Sequence, residues 1–281
     1  MTELATIDAA EQRKLNALLG ANQDTGGSET RLPLLKVNSK RKNAEGKKIP
    51  EGQFVLSGLE EDVFAESVMI RPLSQTFQWL QFDPEAKKVA NKTVIVPNFR
   101  TEPIDMKGTL RCGKPPSKVL RELGRDEQKK YEDIKCYRQI RCLVSYEGKT
   151  AANKSVSIEN QPAILLLKGS NFSPFEDEVV KRLPQGRNLY DFWVKVNAEE
   201  MENGSVVYWV MHFEPDLGTP VGLDKPTIDT MYHIADMIRN ENDMVKSKYN
   251  EALRAQNASD GAIDAISTVL EDDFEDEEDA A

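Results

Sequence analysis

Residues 135–146 read Lys135-Cys-Tyr-Arg-Gln-Ile-Arg-Cys-Leu-Val-Ser-Tyr146, and their alternation decides the fold class. Successive side chains of an extended strand point to opposite faces. Cys136, Ile140, Cys142 and Val144 therefore share one face, and Lys135, Tyr137, Gln139 and Arg141 share the other. The first set suits a core. The second suits a charged surface. Arg138 falls on the apolar side, as a bulge or an edge position allows.

A half-buried strand needs neighbours, and similar runs recur around it. Val63 to Pro72, Thr76 to Phe82, Thr93 to Val96, Ala163 to Leu167, Tyr190 to Val196 and Val206 to Phe213 are short and rich in β-branched and aromatic residues. Turn residues separate them, the pattern of an antiparallel barrel or sandwich. Helical spacing is scarce in the middle of the chain, limited to residues 117–131 and 175–183. Near the end Ile228, Met231, Ala235, Ile238, Val245 and Tyr249 recur at helical spacing, with Asp224 and Pro226 at the start.

The expected fold is therefore mainly β: an OB-like antiparallel barrel with extra strands, a basic insertion over residues 107–131 and a long C-terminal helix. The domain reading is a flexible N-terminal arm over 1–30 and a core over 31–223. A helix over 224–256 packs on that core, and a disordered acidic tail follows over 257–281. The arm is read from the Gly, Ser, Asn and Asp of residues 20–30.

Charge is distributed unevenly. The net charge is −10, yet residues 271–279 hold eight acids and no base, which leaves 39 acids against 37 bases elsewhere. Residues 31–48 carry seven bases and one acid; residues 107–141 carry eleven bases and five acids. No apolar run reaches the roughly 18 residues that span a bilayer, and residues 1–14 lack the apolar stretch of a signal peptide. Three unevenly spaced cysteines, Cys112, Cys136 and Cys142, do not make a disulfide framework. A cytoplasmic protein without a membrane partner is expected, in the host cytoplasm if the chain is viral.

Binding a single nucleic-acid strand calls for cations along the phosphates and flat side chains under the bases. Lys135, Tyr137 and Arg141 offer both on one strand face. In residues 190–196, Tyr190, Phe192, Val194 and Val196 point inward, which leaves Trp193 and Lys195 on the opposite face. In residues 76–82, Phe77 and Trp79 share one face and Leu80 and Phe82 the other, so either pair can be core; Trp79 is a candidate platform. Trp209 reads as core.

Residues 107–121 mix glycines, prolines and five cations, Arg111, Lys114 and Lys118 among them. Gly108 and Gly113-Lys114 have the spacing of a phosphate-binding loop, but Pro115 replaces the hydroxyl that would hold magnesium. A basic loop clamping a DNA backbone uses the same residues without the metal. Cys136 and Cys142, with His212 or His233, lack the spacing of a zinc site. Neither a catalytic residue nor a cofactor is expected.

The acidic run with Phe274 inside it, the opening Arg31-Leu-Pro-Leu-Leu-Lys-Val-Asn38 and the turn Lys168-Gly-Ser-Asn-Phe-Ser-Pro-Phe175 together resemble the single-stranded DNA-binding proteins of tailed phages. That resemblance implies an OB-fold core that coats single-stranded DNA in replication or recombination. It also implies a tail, here Asp272, Asp273, Phe274, Glu275 and Asp276, that competes with DNA and recruits replication or recombination proteins. Phe274 is internal rather than terminal, and the zinc-ligand spacing of some family members is absent. A virion assembly or scaffolding protein and a strand-annealing recombination protein are the alternative readings; oligomeric state is left open.

Overall fold

The computed structural model describes residues 32–43, 46–59 and 61–275, and of residues 258–275 the backbone alone. The expected arm over residues 1–30 lies outside the described residues. In chain order the elements are β1 (Leu34–Val37), β2 (Phe54–Ser57), β3 (Val63–Ala65), β4 (Ser67–Asp83), β5 (Lys88–Lys92), α1 (Ser117–Glu122), α2 (Arg125–Lys129), β6 (Ile134–Thr150), β7 (Ser155–Leu167), α3 (Pro174–Glu178), β8 (Val194–Asn203), β9 (Val206–Pro215) and α4 (Lys225–Glu275). The chain is mainly β with a closing helix.

Nine strands form one sheet in the order β3-β2-β1-β7-β6-β4-β8-β9, with β5 on β4 and a further β3–β6 ladder. Its longest ladder pairs β4 with β6 from Met69↔Ser145 to Gln81↔Ile134. The register shifts between Pro72 and Ser74; proline has no N–H to give a ladder and is tolerated at such a bulge. Pairing returns on itself through β1, β2, β3, β6 and β7. Gly148 lets the last contact form: a Cβ there would lie 2.6 Å from the Phe64 carbonyl oxygen. The β1–β7 ladder is parallel, Leu34↔Ile164 and Leu35↔Leu165, where the sequence predicts antiparallel neighbours throughout.

Leu35, Phe54, Leu56, Ile70, Ile140, Val144, Leu165, Val194 and Phe213 meet in the main core. The expected run 63–72 splits between β3 and β4, and from Ser67 onward it joins the expected run 76–82 in the single strand β4, because the bulge absorbs Pro72 without ending the pairing. Residues 93–96 form isolated bridges, Phe77↔Val96 and Thr93↔Asp105. The expected 117–131 helix breaks into α1 and α2 at Leu123 and Gly124, both extended.

Helix α4 begins where Asp224 Oδ1 accepts the Thr227 N–H at 3.0 Å, an N-cap. Its inward stripe is Thr227, Met231, Ile234, Ile238, Glu241, Val245 and Tyr249. Ile228 and Ala235, expected on that stripe, are exposed. Polar bonds also hold the helix: Asn242 Oδ1 accepts the Ile95 N–H at 2.6 Å, and Asn242 Nδ2 donates to the Ile95 carbonyl at 3.0 Å. The chain leading into α4 is held by Arg71, whose Nε donates to Tyr190 O and Nη2 to Gly222 O, each at 2.8 Å. The helical backbone continues to Glu275, through the region whose charge and small residues predict disorder. Ala258, Ala262 and Ala265 favour helix, and helical hydrogen bonds need no tertiary partner.

Candidate nucleic-acid interface

The outward face of β6 divides into a covered half and an open half. Gln139 and Arg141, expected on a DNA-facing surface, are buried. Gln139 Nε2 donates to Gln78 at 2.7 Å, and Arg141 donates to Thr76 Oγ1 and Gln139 Oε1, both at 2.9 Å. Gln78 Nε2 donates in turn to Glu241 of α4 at 2.9 Å, and the Lys92 ammonium to the same carboxylate oxygen at 3.1 Å. Burial disfavours the charged form of Arg141, and Glu241 partly offsets this. Arg141 is thus a buried donor bound to Thr76 and Gln139, not a cation on a DNA-facing surface. Strand alternation assigns a face; it does not say what covers that face.

Beyond the helix the same face is open. Lys135 is exposed and Tyr137 half-buried. The Lys168 ammonium lies 5.3 Å from the centre of the Tyr137 ring and 3.2 Å from its hydroxyl. Leu80 pairs with Lys135, so Phe82, two residues on, projects from the same face beside that lysine. Phe82 is 44% exposed. One exposed ring, one half-buried ring and two ammonium groups therefore share the end of β4 and β6. Phe77 and Trp79, at 3% and 8% exposure, are the core pair of residues 76–82, which settles the ambiguity left by the sequence.

The opposite face of this strand end holds Arg138. It is paired on both sides, with Phe77 and Leu167, so neither a bulge nor an edge explains it. Its side chain is 1% exposed; Nη1 donates to Gln75 Oε1 at 2.6 Å and Glu176 Oε2 at 2.8 Å. The guanidinium lies 5.2 Å from the Phe77 ring centre and 4.9 Å from that of Phe172. A cation thus replaces an apolar core residue where rings and a carboxylate receive it. Phe99 completes a ring cluster, 5.5 Å from Phe77 and 5.8 Å from Phe172, and the Arg100 guanidinium lies 5.8 Å from Phe99.

The 107–121 segment is not built to cradle a phosphate. Asp105, fully buried, accepts the N–H groups of Lys107 at 2.8 Å and Thr109 at 3.2 Å, so a carboxylate already occupies those donors. Arg111 pairs with Glu102 at 2.8 Å. Lys114 points inward, donating to Ile134 O at 2.6 Å and Tyr131 O at 3.1 Å; burial, helped by Lys135, lowers its pKa. Of the three expected clamp cations, Lys118 is the exposed one. Burial pushes the thiols of Cys112, Cys136 and Cys142 up to about 12, which makes them inert at neutral pH. Among the described residues no group of three His, Cys, Asp or Glu could hold a metal ion.

Trp79 packs against Cys112 and Ile134 in a satellite core and offers no stacking face. Trp193 is half-buried and Lys195 exposed, as the alternation predicts. Lys195 pairs with Met69, nine residues along β4 from the Gln78–Tyr137 pair, or about 30 Å of strand. The two expected patches are therefore separate. Trp209 is half-buried against Gly52, where a Cβ would lie 2.6 Å from its Nε1. Asp272, Asp273, Phe274 and Glu275 lie on the helical backbone of α4; Asp276 lies outside the described residues.

Sequence reasoning missed Phe82, Lys168, Phe99 and Arg100 as site residues. Phe82 and Lys168 had a signal, since each closes an apolar strand run at a turn. Phe99 and Arg100 lie in a loop whose ring contacts span over seventy positions of sequence, to Phe172. No helix among the described residues is long and apolar enough to cross a membrane. No protein-family model, no curated protein and no solved structure matches the chain.

Proposed function

We propose that the protein binds single-stranded DNA across the open end of β4 and β6, without catalysing a reaction. Tyr137 and Phe82 stack on bases, and Lys135 and Lys168 neutralise phosphates. The observation that carries this reading is the Lys168 ammonium beside the Tyr137 ring, with Lys135 and the exposed Phe82 on the same face. An ammonium has three donors; one reaches the Tyr137 hydroxyl, which leaves donors for a phosphate. Rings accept any base, so binding is tolerant of sequence and needs unpaired bases. Exposed Lys40, Lys42 and Lys48 on the β1–β2 loop add positive field that raises the rate of encounter, whereas Arg41 pairs with Glu51 at 2.6 Å. The loop itself is ordered by Asn38, whose Nδ2 donates to the carbonyls of Lys40 and Pro50.

The resemblance to tailed-phage single-stranded DNA-binding proteins adds the biological setting: coating of strands during replication or recombination in the host cytoplasm. In that setting the eight acids of residues 271–279 compete with DNA and recruit partner proteins.

Fluorescence anisotropy of labelled oligo(dT) and of a duplex of equal length tests the reading. Single strands should bind at least about ten-fold more tightly. Tyr137→Ala should weaken that binding by about 1 to 3 kcal/mol, and Lys135→Ala should reduce the salt slope by about 0.7. Equal affinity for both forms, with Tyr137→Ala unchanged, rejects it.

A further inference from the structure

We propose that the binding track continues around the end of β6 and β7, so that the bound strand crosses the 168–171 turn and stacks a further base on Phe99, with Arg100 on the phosphate. This extends the reading given above and depends on it. Register supplies the continuity. Phe77↔Arg138 and Gln78↔Tyr137 are adjacent pairs of one ladder, so the Phe99 cluster and the Tyr137–Lys168 pair lie back to back on the same strand end. Lys168, on the Tyr137 side, and Phe172, on the Phe99 side, are joined by the short turn through Gly169 and Ser170. Both turn residues are exposed, and a Cβ on Gly169 would meet nothing within 4 Å. A chain can therefore pass over this turn unobstructed.

Phe99 also has the form of a platform. It is 42% exposed although Phe77 and Phe172 back it at 5.5 and 5.8 Å. Its loop is held in shape: the Arg100 N–H donates to Asn98 Oδ1 at 2.9 Å, and Glu102 pairs with Arg111 at 2.8 Å. A part-exposed ring backed by two others, with the Arg100 guanidinium 5.8 Å over it, suits base stacking, because a ring already packed in place loses little entropy on binding. The charge complements a phosphate chain, since Arg100 and Lys168 bracket the turn and both are exposed. Duplex DNA, with a persistence length of about 150 base pairs, cannot follow so tight a turn. A single strand can.

Anisotropy titrations with labelled oligo(dT) of 16 nucleotides, on the full chain, test this. Phe99→Ala should bind about ten-fold more weakly, and Phe99→Tyr should restore affinity to within about two-fold. Arg100→Ala should lower the salt slope by about 0.7, whereas Phe99→Ala should leave it unchanged. If Phe99→Ala and Arg100→Ala bind as the wild type does while Tyr137→Ala is impaired, the extension fails and the Tyr137 site stands. If Phe99→Ala is impaired and Phe99→Tyr equally so, the defect is in folding of the loop rather than stacking, and the extension fails. A wild-type protein that does not bind the oligonucleotide overturns both the site and its extension.

Discussion

The Lys114 ammonium donates to the backbone carbonyl of Ile134 at 2.6 Å, immediately before Lys135. A residue whose neighbours suggest a phosphate clamp is thereby a brace that ties the inserted loop to the first residue of β6. Removing the ammonium leaves the Ile134 and Tyr131 carbonyls without this donor. Lys114→Ala should lower stability to urea by about 1.5 to 3 kcal/mol, the range for hydrogen bonds to a charged group. Lys118→Ala, on the exposed α1, should leave stability unchanged within about 0.5 kcal/mol. Equal urea midpoints for the two variants would contradict the brace.

The docking of α4 should depend on pH through Glu241. Burial raises its pKa, but Gln78, Lys92 and Arg141 together outweigh burial and hold the carboxyl below its ordinary value of 4.5. A group whose folded pKa is depressed contributes stability above its unfolded pKa, and the contribution disappears as pH falls through the folded pKa. Stability should therefore be level near neutrality and decline below about pH 4.5. Glu241→Gln keeps a partner for Gln78 and Lys92 without the charge. Its urea midpoint should be lower at pH 7, and its decline between pH 5 and pH 3 should be shallower, than in the wild type. Parallel curves for the two proteins would remove Glu241 from the acid response.

Trp79 and Trp193 separate core from surface. Trp79 is 8% exposed and packs against Cys112 and Ile134, so Trp79→Ala should cost about 3 to 5 kcal/mol of stability. Trp193→Ala should cost less, because its ring is half-buried beside the deeply buried Phe192 and Val194. Adding oligo(dT) should leave Trp79 emission unaltered in a variant with Phe at positions 193 and 209. Quenching in that variant would show that Trp79 reaches bases.

Much of this was legible in the residues themselves. The alternation of residues 135–146 gives the strand, its apolar face and the outward direction of Lys135 and Tyr137, because side-chain direction in a strand is a local property. Coverage is not local: α4 reaches the Gln139–Arg141 network from about a hundred residues away, through the Glu241 carboxylate that accepts from Gln78. The same holds for Lys114, whose partners are the backbone carbonyls of Tyr131 and Ile134, which no side-chain pattern advertises. Arg138 is the extreme case, since its acceptors Gln75 and Glu176 and its rings come from separate segments. Short β1 and β2 were missed because four-residue strands scarcely show alternation.

The acidic segment offers the test with the widest reach. Residues 271–279 carry eight acids against a remainder of 39 acids and 37 bases, so they dominate the net charge while the cations gather on the β1–β2 loop and the end of β6. If they compete with DNA, deleting residues 271–281 should tighten oligo(dT) binding. The effect should be largest at low salt, because charges are screened over about 10 Å at 0.1 M. Neutralising the eight acids while keeping Phe274 should tighten binding equally, since competition acts through charge. Phe274→Ala should leave DNA affinity nearly intact, because one ring adds contact area rather than long-range field. Affinities measured between 20 mM and 300 mM salt should converge for the full and truncated proteins as salt rises. If they coincide at every salt concentration, the acidic segment does not reach the binding face.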